Sequence, residues 1–337
     1  MRFLTATALL ALATFGAAAE SADSLPRYLP EIHGALRGRW EILTDDGRNR
    51  FQLRNARVIL SGNLGVPIDY YLQTDLCNAG KMEFLDGWAR LSLADDALRV
   101  KAGQFRVPFG VDPFRGPATY IFANRSFIGR DIANLRAVGV SVAYSLPFAP
   151  VTVEAGVFNS TKRTDQTTYN HDKVTAIKAV ARLGDFTVAG GFQSIVPDGI
   201  RINMADASVS FSSGRWLAEA EYVYKHYTGH AHRPCHAYNV FANYTMPVKA
   251  WVFRQLSVQA RADGSTAHSD GRRDDNVLLT DNHPSRNRLT FGSTLTYRLG
   301  RLRCDVRLNY EKYLYHDGFT APDYAGDKVV AELVVAF

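Results

Sequence analysis

Cysteine is scarce in this chain, and the few present stand far apart. Cys77, Cys235 and Cys304 are odd in number and lack metal-ligand spacing, so they form neither a disulfide framework nor a zinc site. A single Cys77–Cys235 bridge between loops stays open. Lysine is scarce too, with 9 Lys against 30 Arg. Guanidinium is planar, permanently charged and matched to carboxylate and phosphate, although a GC-rich genome produces the same bias. Long apolar runs are missing after residue 19, so no transmembrane helix is expected there. Pro/Ser-rich spacers, charge blocks and low-complexity tracts are missing as well. Residues 20–337 therefore read as one structural unit.

The single long apolar run opens the chain. Arg2, the stretch Leu4–Phe15 and Ala17-Ala18-Ala19 have the order of a secretory signal peptide, charged, apolar, then small at the cleavage site. Residues 1–19 are thus expected to be removed. Losing Arg2 lowers the formal net charge of +6 by one, and the product leaves the cytoplasm.

What the chain has in quantity is alternation. Residues 67–76 place Ile68, Tyr70, Leu72, Thr74 and Leu76 on one face, with Asp69, Tyr71, Gln73 and Asp75 on the other. Residues 215–225 set Trp216, Ala218, Ala220, Tyr222 and Tyr224 against Glu219, Glu221 and Lys225. The same period of two runs through 288–299 and 302–311 and argues for half-apolar strands. Further strands are expected near 35–43, 50–61, 84–93, 97–105, 137–146, 150–158, 174–183, 185–194, 203–212, 236–246, 251–261 and 327–337. The total is about sixteen, each about the ten residues that cross a bilayer when tilted. Phe51 and Leu53 are out of phase with Ala56, Val58 and Leu60, and a bulge would reconcile them.

The connections alternate in length. Tight turns are expected near Gly62–Pro67, Ala94–Ala97, Pro147–Pro150, Gly184-Asp185, Ser213-Gly214 and Gly300, and longer links at 106–136, 159–173, 226–235, 262–285 and 314–326. Every longer link follows an odd-numbered strand, and the early links near 44–49 and 77–82 are short exceptions. Such parity is the pattern of an all-β, transmembrane antiparallel barrel with short periplasmic turns and long outer loops. A soluble sandwich would have to cover some sixteen apolar faces in one core. A barrel presents them to lipid and leaves no sheet edge. Val329, Ala331, Leu333, Val335 and the terminal Phe337 share one face, which resembles the signal read by the barrel assembly machinery of Gram-negative outer membranes.

Two stretches break the alternation with a specific pattern. Gly103-Gln104-Phe105-Arg106-Val107-Pro108-Phe109 leaves the fifth strand, and Asn124-Arg125-Ser126 and Gly129-Arg130-Asp131 follow before the sixth. Together with Phe51–Gly65 and Ile68–Leu76, they resemble the phosphate-selective porin O and P family over roughly residues 36–146. The resemblance implies an outer-membrane channel, a homotrimer, and a third loop folded into the lumen. The strand count independently makes 106–136 the third loop.

Lys101, Arg106, Arg115, Arg125, Arg130 and Arg136 stand in this region against Asp112 and Asp131. Inside a lumen they would form a positive constriction, since fixed guanidiniums replace an anion's hydration. The other reading is that Arg125, Arg130 and Asp131 pin the loop to wall carboxylates. Inward arginines on the strands, Arg37, Arg39, Arg54, Arg90, Arg99, Arg288, Arg298, Arg303 and Arg307, extend a basic track, because arginine on the lipid face is costly. Glu41, Glu219, Glu221, Glu311 and Glu332 share the inward phase and offset part of it. The expectation is therefore a passive porin with mild anion preference, phosphate included among its solutes. Lipid and lipopolysaccharide are expected around it, with no nucleic acid, cofactor or bound metal.

Other constellations are weaker. His226, His230, His232 and His236 cluster near the sixth outer loop, and Asp270, Asp274 and Asp275 in the seventh. Both read as solvated loops ahead of metal sites. A lipid-acting barrel enzyme would need a Ser-His pair on the wall, and no distinctive motif marks one. A plugged structural or adhesive barrel is the remaining alternative.

Overall fold

The computed structural model describes residues 29–274, 279–316 and 325–337. The expected signal peptide at 1–19 and Asp275 lie outside them. The strands are β1 (Glu31–Leu43), β2 (Asn49–Asn63), β3 (Ile68–Asn78), β4 (Lys81–Leu93), β5 (Leu98–Arg106) and β6 (Arg136–Ser145). Next come β7 (Val151–Asn159), β8 (Lys173–Leu183), β9 (Phe186–Ile195), β10 (Ile202–Ser213) and β11 (Trp216–Tyr227). The last are β12 (Cys235–Ala250), β13 (Phe253–Ser265), β14 (Arg286–Leu299), β15 (Leu302–Tyr315) and β16 (Lys328–Ala336). Each pairs antiparallel with its sequence neighbours, and β16 returns to β1, which closes the barrel.

Closure is built by the register Ala35↔Ala336 to Leu43↔Lys328. It is extended by Gly34 and Phe337, which exchange backbone hydrogen bonds of 2.9 and 3.1 Å. A closed ladder leaves no peptide group on an open edge, the condition for crossing hydrocarbon with strands. Phe337 lies over Gly34 so closely that a Cβ there would stand 2.4 Å from the ring.

Burial runs opposite to that of a soluble protein. Outward side chains such as Phe51, Phe291, Leu308 and Leu333 are exposed, while Arg288, Arg307, Asp263 and Glu311 are buried. The apolar faces read from alternation on β3, β11, β14, β15 and β16 all point outward. Such a belt is the surface that a barrel presents to lipid.

The phase conflict in β2 is resolved as expected. Arg37 pairs with Asn55 and Gly38 with Leu53, so Arg54 is the extra residue of a bulge. Phe51 and Leu53 are therefore exposed on the outside, while Asn55 and Arg57 are buried inside. One boundary differs from the expectation. Residues 251–252 form a tight turn, and β13 starts only at Phe253 because β12 continues to Ala250. A bulge between Pro247 and Ala250 lengthens β12. The three cysteines are free, and Cys77 and Cys235 are not bridged.

Replacing the lipid-facing Leu308 with Arg is expected to lower folding stability by about 2–4 kcal/mol if the site lies at mid-membrane. Reversible denaturant unfolding in lipid vesicles measures it, and Leu308→Val sets the scale for lost volume alone.

Candidate functional site: a lumen narrowed by the third loop

Residues 107–135 connect β5 to β6, and they turn inward across the barrel. Three local devices shape this loop. A 3-10 turn spans Asp112–Phe114, with Pro113 in its first turn, where a missing N–H costs nothing. A π-turn spans Ile128–Ile132, closed by Ala133 N donating to Ile128 O at 2.9 Å. Between them, Asp112 accepts from Ser126 Oγ at 2.7 Å and from the Ser126 amide at 3.3 Å. Gly129 closes that frame because a Cβ there would stand 2.0 Å from Asp112 Oδ2.

Wall groups then fix the loop to one side of the lumen. Glu221 accepts from the Val111 and Asp112 amides at 2.5 and 3.1 Å. Glu219 takes Arg115 bidentately at 2.8 and 2.6 Å. Asp263 accepts from the Phe127 amide at 2.9 Å and Asn309 from the Ala123 amide at 2.7 Å. Arg37, Arg261, Arg288, Arg303 and Arg307 donate to loop carbonyls of Ala123, Asn124, Arg125, Ala118 and Tyr120. Apolar packing adds to this: Phe109, Ile128 and Ile132 sit against Ile202, Met204, Val223 and Tyr227. These are inward positions of β10 and β11, where alternation alone predicts polar residues. Burying such side chains from water stabilises the docked loop by roughly 1.5–3 kcal/mol each.

With the loop docked against β10 to β16 and β1, open space remains chiefly along β1 to β6. Two cavities occupy it. One of about 1060 Å³ faces the long-loop end and is lined by Arg37, Arg54, Tyr120, Arg125 and Arg163 among others. The other, of about 810 Å³, faces the tight-turn end and is lined by Lys101, Arg106, Phe114 and Arg298 among others. Arg57 and Arg136 line both, so the two cavities adjoin at these two guanidiniums. Arg57 pairs with Asp75 at 3.0 Å and Arg136 with Asp86 at 2.9 Å.

The sequence-derived constriction residues divide by partner. Arg115 is held by Glu219 and Asp112. Arg130 pairs with Asp131 at 2.9 Å, and Asp131 also takes Arg286. Lys101 pairs with Glu154 at 3.0 Å. Arg125, in contrast, bonds Tyr120 Oη at 2.6 Å and the Gly129 and Arg115 carbonyls. Arg106 bonds Asn134 Oδ1, and Arg54 bonds Asn78 Oδ1. Among the described residues, these three guanidiniums meet only uncharged acceptors. The Tyr120 hydroxyl is pulled below its ordinary range although burial raises it, because Arg125, Arg37 and Arg57 surround it.

The expected wall track divides as well. Arg37 and Arg307 share Glu332 at 2.5 and 2.6 Å, and Arg288 is held by Asp263 and Glu311. Arg39 pairs with Glu41, Arg90 with Asp69 and Arg303 with Asp305. Arg99 reaches Ser145, and Arg298 lines the cavity at the tight-turn end. Sequence reading did not single out Arg57. Its signal was present, since Ala56, Val58 and Leu60 point outward and place Arg57 inside. The out-of-phase start of β2 obscured it. Of the histidines near the sixth outer loop, His232 contacts Asp281 at 3.0 Å, and no cluster of metal-ligating side chains occurs among the described residues.

A family model described as Gram-negative porin matches residues 109–250. No curated protein matches the sequence. Among solved structures, the fold is similar to an anion-selective porin from Comamonas acidovorans, with 13% identity, 91% of this chain and 99% of that chain covered, and a TM-score of 0.63. Salmonella typhi OmpF gives 13% identity, coverage of 91% and 97%, and a TM-score of 0.62. The trimer form of Vibrio cholerae OmpT, an outer membrane protein, gives 10% identity, coverage of 91% and 98%, and a TM-score of 0.57. The fold is that of outer-membrane porins: a closed sixteen-stranded antiparallel barrel with an inward third loop.

Two outcomes test the docking. Gly129→Ala forces Asp112 and the π-turn apart and is expected to destabilise the docked loop by about 1–3 kcal/mol. Faster protease cleavage within 107–135, with barrel heat-stability retained, reports it. The second concerns His268 and His283, whose rings stack at 4.4 Å beside the loop. Burial, then the Lys225 ammonium, holds His268 well below its ordinary value. Its neutral form thus belongs to the docked state, and its contribution is present above the unfolded histidine pKa of about 6.5. Stability is expected to fall as pH drops below that value. Protection factors of the amides in 266–274, each referred to its intrinsic exchange rate at that pH, should fall at pH 5 and do so less in His268→Gln.

Proposed function

We propose that this chain is a porin of a Gram-negative outer membrane, through which small solutes diffuse passively with anions preferred. One observation carries the reading. The two lumen cavities meet at Arg57 and Arg136, and nearby Arg54, Arg106 and Arg125 have no acidic partner among the described residues. Of these and Arg37, six guanidiniums in all, three meet a carboxylate, Glu332 (shared with Arg307), Asp75 and Asp86, while Glu83 in the same cavity is held by Arg163. The excess stays charged at any working pH and favours anions over cations in a narrow passage.

The family match over 109–250 and the porin fold support the channel reading. The anion preference comes from this chain's own arginines. Phosphate belongs to the same proposal as one small anion that a cluster of guanidiniums accommodates bidentately. Assembly as a homotrimer is part of the reading, with the trimeric form of a similar barrel in support. So are lipid and lipopolysaccharide contacts on the apolar belt, and recognition of Phe337 by the assembly machinery.

Reversal potentials across planar bilayers under a potassium chloride gradient test the proposal. Chloride preference is expected, weakening from 0.1 M to 1 M salt as the screening length shortens from about 10 to about 3 Å. Arg54→Gln with Arg125→Gln should shift the reversal potential toward zero. Potassium preference, or no conductance, would overturn the reading.

A further inference from the structure

Outside the apolar patches that hold the third loop, the inward wall of this barrel is largely polar, as Asp305, Arg307, Asn309 and Glu311 on β15 illustrate. Toward the tight-turn end it becomes aromatic. Tyr71 and Trp88 are register partners across β3 and β4, and their neighbours Gln73 and Asp86 are buried inside. Their rings stack at 5.1 Å and 9°. Phe105 lines the same cavity, and Phe114 reaches it from the third loop with 46% of its surface exposed. Tyr71 and Phe114 face neither lipid nor a packed core, whereas Phe105 is buried against Phe158 and Val174 with Trp88 packed beside it. A ring left in a wet channel forfeits the burial that normally places it.

Cations surround the rings. Lys101 Nζ stands 5.8 Å from the Trp88 ring and 4.3 Å from that of Phe105. The Arg106 guanidinium lies 5.9 Å from the Phe114 ring, and Lys178 Nζ lies 4.4 Å from it. Eight cationic side chains line this 810 Å³ cavity; Arg57, Lys101, Arg115, Arg136, Arg301 and Arg303 are paired with carboxylates, and Arg106 and Arg298 have no acidic partner among the described residues. Asp86 is already taken by Arg136, whereas Arg106 bonds only an amide oxygen.

We propose that this cavity is a binding subsite for small aromatic carboxylates. The ring lies against Trp88 and Tyr71 or against Phe114, and the carboxylate meets Arg106. Stacking adds to the charge attraction, so an aromatic anion dwells longer than an aliphatic one of equal charge. The inference rests on the porin reading and names a solute class for the same lumen.

Benzoate and acetate are the probes. The purified full chain is placed in a planar bilayer, and its chloride conductance is recorded without additive. Each carboxylate is then added on the tight-turn side. Benzoate is expected to halve the chloride current at a concentration at least fivefold below that of acetate. Phe114→Ala and Trp88→Leu, each normalised to its own additive-free current, should bring the two concentrations together. Phe114 is an exposed loop residue, so its variant remains informative if Trp88→Leu does not fold. Equal potency of benzoate and acetate on the unaltered chain would overturn the inference and leave the porin reading standing. An unchanged ratio in both variants would overturn the assignment to this cavity. A chain that conducts no chloride would overturn both readings.

Discussion

Every peptide group that enters hydrocarbon must find its partner within the protein. The pairing of β16 with β1 is where this chain meets that demand. Without it, two edges of nine or more residues would face lipid unpaired. Closure in turn dictates the rest of the molecule. Alternate side chains are committed to lipid, so charge has only the lumen to occupy. The buried Arg288, Arg307, Asp263 and Glu311 follow from that partition.

Charge confined to a lumen must also be compensated, because an unpaired buried ion is expensive. Most of the inward arginines are therefore engaged in structure. Arg288, Arg307 and Arg37 bind both wall carboxylates and carbonyls of the third loop. The loop in turn satisfies the wall, since its amides complete Glu221, Asp263 and Asn309. Loop and barrel thus stabilise one another. The opening is pushed to the opposite side, where Arg54, Arg57, Arg106, Arg125 and Arg136 stand. The same residue type serves as a strut on one side of the lumen and lines open cavities on the other.

Much of the architecture was legible from side-chain period alone. The sixteen strands lie where alternation put them, mostly within a few residues, because a barrel strand has only two environments and each residue must choose one. Even the β2 bulge announced itself as a slip in phase. The end of β12 was not legible, since Pro247 and the bulge beside it carry no periodic signal. The docking patch at Ile202, Met204, Val223 and Tyr227 was equally hidden. An apolar residue on the inward face reads as noise until the loop that covers it is placed.

The chain's own order of residues determined the all-β character, the parity of short turns and long links, the inward placement of arginine and the interruption at 107–135. Each is a local matter of period, turn chemistry or the cost of charge in lipid. Which arginines meet carboxylates and which meet only uncharged acceptors was decided only in three dimensions. Arg115 and Arg125 are ten positions apart on one loop and look alike in sequence. Arg115 reaches Glu219, 104 residues away, whereas Arg125 reaches a tyrosine hydroxyl and two carbonyls. Electrostatic partnership depends on distances of a few ångströms between remote segments, and only closure of the barrel sets those distances.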